Sequence, residues 1–93
     1  MPFVLTSMLT KVGVSRVEVR PRQYRIWDKK FPGLYLRVFP SGRKVYELSS
    51  DHGHMMLGHH PMLSPTAARL RAKIVSKIVS DQRVKKLRSP HPV

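Results

Sequence analysis

FPGLYLRVFPSGRKVYEL, residues 31–48, reads as two strands folded over a Pro-Ser-Gly turn. Successive side chains of a strand point to opposite faces, so Leu34, Leu36 and Val38 share one side while Tyr35, Arg37 and Phe39 share the other. Pro40 fixes its own φ and Gly42 accepts a positive one, the chemistry a tight turn needs. On the return strand Lys44, Tyr46 and Leu48 lie on one side and Arg43, Val45 and Glu47 on the other. Tyr46 and Leu48 are the better partners for Leu36 and Val38, which makes the aliphatic side the core. Lys44 then sits at its margin, stem on apolar surface and head in water. The opposite side mixes cations with apolar groups, and a partner must be found that wants such a face.

Upstream, residues 1–22 are mixed, with Gly13 and Pro21 interrupting β-branched residues, and predict one short element followed by an extended arm. QYRIWD is a short strand-like run ending at Asp28, and DKKFPG a turn. Downstream, SSDHG supplies Asp51 and Gly53 for a second turn. HMMLG predicts a third strand with Met55 and Leu57 toward the core and His54 and Met56 outward. LSPTAARLRAKIVSKIVSDQ is a helix: Ser64 is a good N-cap and Pro65 fits the first helical position. At 100° per residue, Ala67, Ala68, Leu70, Ala72, Ile74, Val75, Ile78 and Val79 span a wide apolar arc opposite Arg69, Lys73, Ser76 and Lys77. That arc suits one face of a small sheet. Arg71 falls inside it and breaks the pattern, by snorkelling at the edge of the contact or by a local ion pair; both readings stay open. VKKLRSPHPV is basic and proline-bearing, a linker or disordered tail.

Eighteen Lys and Arg against five Asp and Glu give a formal charge of +13 over 93 residues. Such a balance, with a pI near 11.3, points to a polyanionic partner. The apolar fraction of 41% is ordinary, so the charge decorates a foldable chain. No cysteine is present, which excludes a disulfide scaffold, a thiolate zinc site and a cysteine nucleophile. No apolar run is long enough to span a membrane, and MPFVLTSMLT lacks the features of a secretory signal. Eight prolines and the β-branched VGVSRVEVRP argue against a transit peptide. The expected location is intracellular, without membrane contact.

Asp51, His52, His54, His59 and His60 invite a metal reading. Metal ligands must converge, however, and a strand carries His54 away from His59 and His60, whose adjacent side chains diverge. Solvent-exposed histidines at turns and strand ends are the preferred reading. There is no Gly-rich phosphate loop, the scattered acids offer no carboxylate pair, and no cofactor is called for. What remains is a sheet face carrying Tyr35, Arg37, Arg43, Val45, Glu47 and His54. A solvated outer face of a basic protein is the bland account. The sharper one is entry into a DNA major groove, where Arg pairs with guanine, apolar groups meet thymine methyls, and a carboxylate accepts from cytosine N4. Glu47 is equally a salt-bridge partner for Arg37. Lys29, Lys30, Lys44, Arg69, Lys73 and Lys77 are then candidates for phosphate contacts.

YRIWDKKFPGLYLRVFPSGRKVYEL followed by MMLGHHPMLSPTAARLRAKIV resembles the N-terminal arm-type DNA-binding domain of phage and genomic-island integrases of the tyrosine recombinase class. The positions that carry the likeness are Tyr24, Asp28, Gly33 to Leu36, Val38, Pro40 to Gly42, Lys44, Tyr46, Leu57, Gly58, Pro61, Leu63, Ser64, Ala68 and Arg69. MLTKVGVSRVEVRP adds a weaker match, so the likeness covers roughly residues 8–82. His59-His60 and SSDHGH depart from the family pattern, which puts contacts from the second turn in question. The resemblance implies an α+β fold, a three-stranded antiparallel sheet packed on one C-terminal helix, occupying 23–82 between an N-terminal arm, 1–22, and a tail, 83–93. It implies binding of double-stranded DNA at the arm repeats of an attachment site, with the Tyr35 and Arg37 side in the groove. It also implies a piece of a longer integrase: the recombinase's Arg, His and nucleophilic Tyr need a separate, larger domain, and Tyr24, Tyr35 and Tyr46 are not that nucleophile.

The rival reading is a protein-interaction module in which Tyr35, Phe39, Val45 and Met56 dock another integrase subunit or an accessory DNA-bending protein. RNA binding shares the charge but lacks the aromatic platform of single-strand readers.

Overall fold

The 31–48 stretch folds as its alternation predicts. β3 (Leu34–Val38) pairs antiparallel with β4 (Lys44–Ser50), with Leu34 opposite Leu48 and Leu36 opposite Tyr46. Phe39 N–H donates to the Arg43 carbonyl and Gly42 N–H to the Phe39 carbonyl, both at 2.9 Å. Gly42 takes φ +95°, the left-handed position that closes a three-residue hairpin loop. β5 (Gly53–His59) adds to β4, its register shifted between Tyr46 and Glu47 by a bulge-type irregularity. The computed structural model describes residues 5–50 and 53–88, with side chains as far as residue 78. Asp51, His52, the Val79 side chain and residues 89–93 of the sequence reading lie outside the described residues.

The α+β class is as expected, but the sheet has five strands, in the order β1-β2-β3-β4-β5, where three were expected. Among the described residues two helices stand where one was expected. β2 (Tyr24–Asp28) is the strand-like QYRIWD run, antiparallel to β3. β1 (Leu5–Ser7) runs parallel to β2, with Leu5 opposite Ile26 and Ser7 opposite Asp28. A parallel pair needs a crossover, and α1 (Lys11–Ser15) lies within it. Thr10 caps α1, its Oγ1 accepting from Gly13 N–H at 3.0 Å. The segment thus does more than form an arm: Leu9 and Val14 are buried in the core.

α2 (Pro65–Arg88) begins as read, with Ser64 Oγ accepting from Ala67 N–H at 3.2 Å. It runs on through residues read as the start of the tail. Its contact with the sheet is narrower than the predicted arc. Ala68 and Ala72 are fully buried and Val75 partly so, while Leu70 and Ile74 of the outer arc are exposed, at 60% and 51%.

 Ile78 is exposed as well, at 50%. The reason lies in the two arginines beside Leu70. Arg69 reaches back to Asp28, and Arg71 Nη1 donates to the Leu57 carbonyl at 2.8 Å, so that among the described residues Arg71 is bound to a backbone carbonyl and ties the helix to β5. Residues 69 and 71 lie 100° to either side of residue 70, so anchoring both turns Leu70 away from the sheet and brings the Ala68–Ala72 strip onto it.

The core gathers Leu34, Leu36, Val38, Tyr46 and Leu48 from the central strands under α1 and α2, closed by Leu57 and Leu63. Burying one such aliphatic side chain stabilises by roughly 1.5–3 kcal/mol. Met55, expected in this core, is 44% exposed. Gly58 is where the following turn comes closest: a Cβ there would stand 2.8 Å from Leu63 Cδ2. Burial also raises the Tyr46 phenol to about 12. Among the described residues no helix is long and apolar enough to cross a membrane.

Candidate nucleic-acid interface

The sheet face turned away from the core is assembled from four strands. Register sets Arg25 of β2 opposite Arg37 of β3, and Trp27 opposite Tyr35. It sets Tyr35 opposite Glu47 and Arg37 opposite Val45 on β4. From β5, Met56 stands opposite Glu47, His54 opposite Ser49 and His59 opposite Val45.

Tyr35 is the hub of this face, and it is not exposed as expected. It is fully buried, at 0%. The Trp27 ring lies 4.7 Å away, the His54 ring meets it edge-on at 5.8 Å, and the Arg25 guanidinium sits 5.2 Å from its centre. Its hydroxyl donates to Glu47 Oε1 at 2.5 Å and lies 2.8 Å from His54 Nδ1. Burial first, and then the Glu47 hydrogen bond, push the phenol's pKa up, so it stays protonated. With its one hydrogen on Glu47, the hydroxyl can only accept from His54, which assigns the Nδ1 proton to the histidine. Glu47 also takes Arg37 Nη2 at 3.0 Å, the ion pair anticipated for it.

The other predicted site residues divide. Val45 is buried, at 1%, and its outward exposure is likewise corrected. Long neighbours on the same face cover both residues, an effect that strand alternation does not register. Arg43 is exposed, its guanidinium 4.7 Å from the Phe39 ring, and His54 is exposed at the β5 edge. Lys44 is turned to the core side, where Nζ donates to the Val14 carbonyl at 2.9 Å at the end of α1.

Arg69 is held far more firmly. Its Nε and Nη2 donate to the two Asp28 carboxylate oxygens at 2.8 and 3.0 Å, and Nη2 donates to the Leu9 carbonyl at 2.6 Å. Asp28 also accepts from the backbone N–H groups of Leu9 and Phe31, both at 3.1 Å. Burial alone would push this carboxyl up, but Arg69 and the backbone donors outweigh it and hold it below the usual range. Arg69 is therefore committed to joining α2, β2 and the N-terminal segment. Lys73 is exposed on α2, across the sheet from Arg37 and Arg43.

Arg25, Trp27 and Gln23 belong to this face and escaped the sequence reading. The available signal was the alternation in QYRIWD, which puts Arg25 and Trp27 on one side once the run is accepted as a strand. Of the apolar patch in the rival reading, Tyr35 and Val45 are buried and Phe39 is half-buried beside the Arg43 guanidinium, while Met56 is exposed. Among the described residues no group of three or more His, Cys, Asp or Glu converges as a metal site. Burial, and then Lys44, hold His60 below the ordinary histidine pKa.

The face thus carries three arginines and two histidines around one carboxylate that Arg37 already neutralises. No curated protein and no solved structure matches the chain. The family model described as the arm DNA-binding domain matches residues 9–86, nearly the stretch that carries the resemblance noted above. With most of its length inside that match, the chain belongs to the family of arm DNA-binding domains.

Proposed function

We propose that this chain is the double-stranded DNA-binding domain of a phage-type integrase, holding arm-type sites while another domain of the longer protein cuts and rejoins DNA. The outer sheet face enters the major groove. Arg37 and Arg43 read base edges, His54 lies at the margin, and Tyr35 and Val45 serve as the floor that holds them. The role is positional and non-catalytic. One observation carries the reading beyond family membership: one face of the sheet is closed by helices, while the other presents Arg25 and Arg43 exposed and without an ion pair among the described residues. Other integrase subunits or accessory DNA-bending proteins would assemble around the same DNA.

The test is a chemical-shift titration of the labelled chain with a duplex carrying a candidate arm repeat and with a scrambled duplex, at two salt concentrations. The expected result is shifts concentrated at Arg25, Arg37, Arg43 and His54, larger for the repeat. With about five to eight phosphates contacted, affinity should fall by several powers of ten per decade of salt. Equal, weak shifts confined to Lys73, Lys77 and the C-terminal residues would overturn the sheet-face reading.

A further inference from the structure

Beside the arginine pair of β2 and β3 lies a hollow of about 180 Å³, lined by Gln23, Tyr24, Arg25 and Arg37. We propose that it is a phosphate site, taking one phosphodiester group of the bound duplex; this rests on the DNA-binding reading above and assigns a particular contact within it.

Three features of the hollow favour an anion. Arg25 and Arg37 are direct register partners, and like charges placed opposite each other on a sheet are unfavourable until something of opposite sign lies between them. No acidic residue lines the hollow. Glu47 balances Arg37 from the β4 side, which leaves the charge of Arg25 uncompensated.

The donors are also in place. Arg37 Nη1 donates to Gln23 Oε1 at 3.3 Å, a long bond, and Arg37 Nε is buried without an acceptor. The bond to Gln23 and the ion pair with Glu47 hold the guanidinium in position, and each Nη keeps a second N–H to donate. Because the Gln23 oxygen is turned to Arg37, its amide NH₂ remains free to donate to a ligand. Arg25 is exposed, and its only contact of note among the described residues is with the Tyr35 ring, 5.2 Å from the guanidinium. Stacking on an aromatic face holds a guanidinium in place while leaving its N–H edge open. Two guanidiniums and an amide thus border one concavity, a donor set suited to phosphate oxygens. The contact would fix the tilt of the sheet in the groove without reading sequence.

Duplex affinity measured by fluorescence anisotropy across a salt series tests the assignment, using wild type, Arg25→Gln, Arg25→Lys and, as a control for overall charge, Lys11→Gln on α1. Arg25→Gln should lower the magnitude of the log–log salt slope by about 0.9 and weaken binding at 0.1 M salt by roughly 5- to 10-fold. Arg25→Lys and Lys11→Gln should keep the wild-type slope. A scan of duplexes with single methylphosphonate substitutions should find one position where neutralisation harms wild type but not Arg25→Gln. If wild type binds with a steep slope and Arg25→Gln matches it, the phosphate site is wrong and the DNA-binding reading stands. If wild type binds no duplex at low salt, both fall.

Discussion

The two faces of the sheet are made by alternate residues of the same strands, yet they become buried in different ways. On the inner face Leu34, Leu36, Val38 and Tyr46 are covered by other elements, α1, α2 and the Leu63 turn. On the outer face Tyr35 and Val45 are just as buried, but among side chains of the face itself. The inner face therefore depends on long-range anchors, and the outer one on a local polar network of Tyr35, Glu47, Arg37 and His54. The difference teaches that an outward-pointing residue is not necessarily a contact residue. It also separates two kinds of arginine: Arg69 acts as a structural tie, whereas Arg25 and Arg43 remain open to a ligand.

The largest effect should come from the inner anchor. Asp28→Ala leaves Arg69 without its buried partner and should lower unfolding free energy by about 3–5 kcal/mol, read by urea denaturation. A loss of under about 1 kcal/mol would show that the helices do not depend on this tie. The same carboxyl supplies a pH test. Its folded pKa lies below the ordinary value of 3.8, so its stabilisation is complete above that value and is lost as pH falls through the lower, folded one. Wild type should thus lose more stability than Asp28→Ala on acidification below about pH 4.

Next in size is Arg37→Ala, expected to weaken duplex binding by about 1–3 kcal/mol and to relax sequence preference at one base pair. Competition binding with repeats mutated one position at a time reads both. Uniform weakening across all duplexes would leave Arg37 only its place beside the phosphate hollow and remove its base contact.

Tyr35→Phe keeps the ring and removes the hydroxyl shared by Glu47 and His54. It should lower stability by about 1 kcal/mol and change duplex affinity less than Arg37→Ala does. The reverse order of affinity losses would mean that the hydroxyl itself reaches DNA.

The smallest effect is expected of Lys73→Ala, whose side chain stands across the sheet from the proposed groove face. Its salt slope should equal that of wild type, whereas a lost phosphate contact would reduce it by about 0.9. A reduced slope would place DNA on the helix side and erase the functional distinction between the faces.

The hairpin and the start of α2 were legible because their causes are local. Period-two alternation pairs Leu36 with Tyr46, Gly42 supplies a left-handed turn position, and Ser64-Pro65 opens a helix. β1 was not legible: three residues carry little pattern, and their parallel pairing is with residues 21 positions later, as Leu5 with Ile26. Nor was the Asp28–Arg69 pair, since nothing local connects positions 41 residues apart. The site was legible to the same degree. Arg37, Arg43 and Glu47 follow from alternation, while Arg25 and Gln23 required knowing that β2 joins β3.

By itself, then, the sequence determined the hairpin, its two-sided chemistry, the helix start, the strong positive charge and the resemblance to arm DNA-binding domains, because each is written in neighbouring residues or in composition. Only the tertiary structure decided how α2 is rotated, which arginines are tied and which are open, and that Tyr35 is a floor rather than a tip. Those outcomes depend on contacts between segments distant in the chain, where burial and hydrogen bonding select one arrangement among several that the local pattern allows equally.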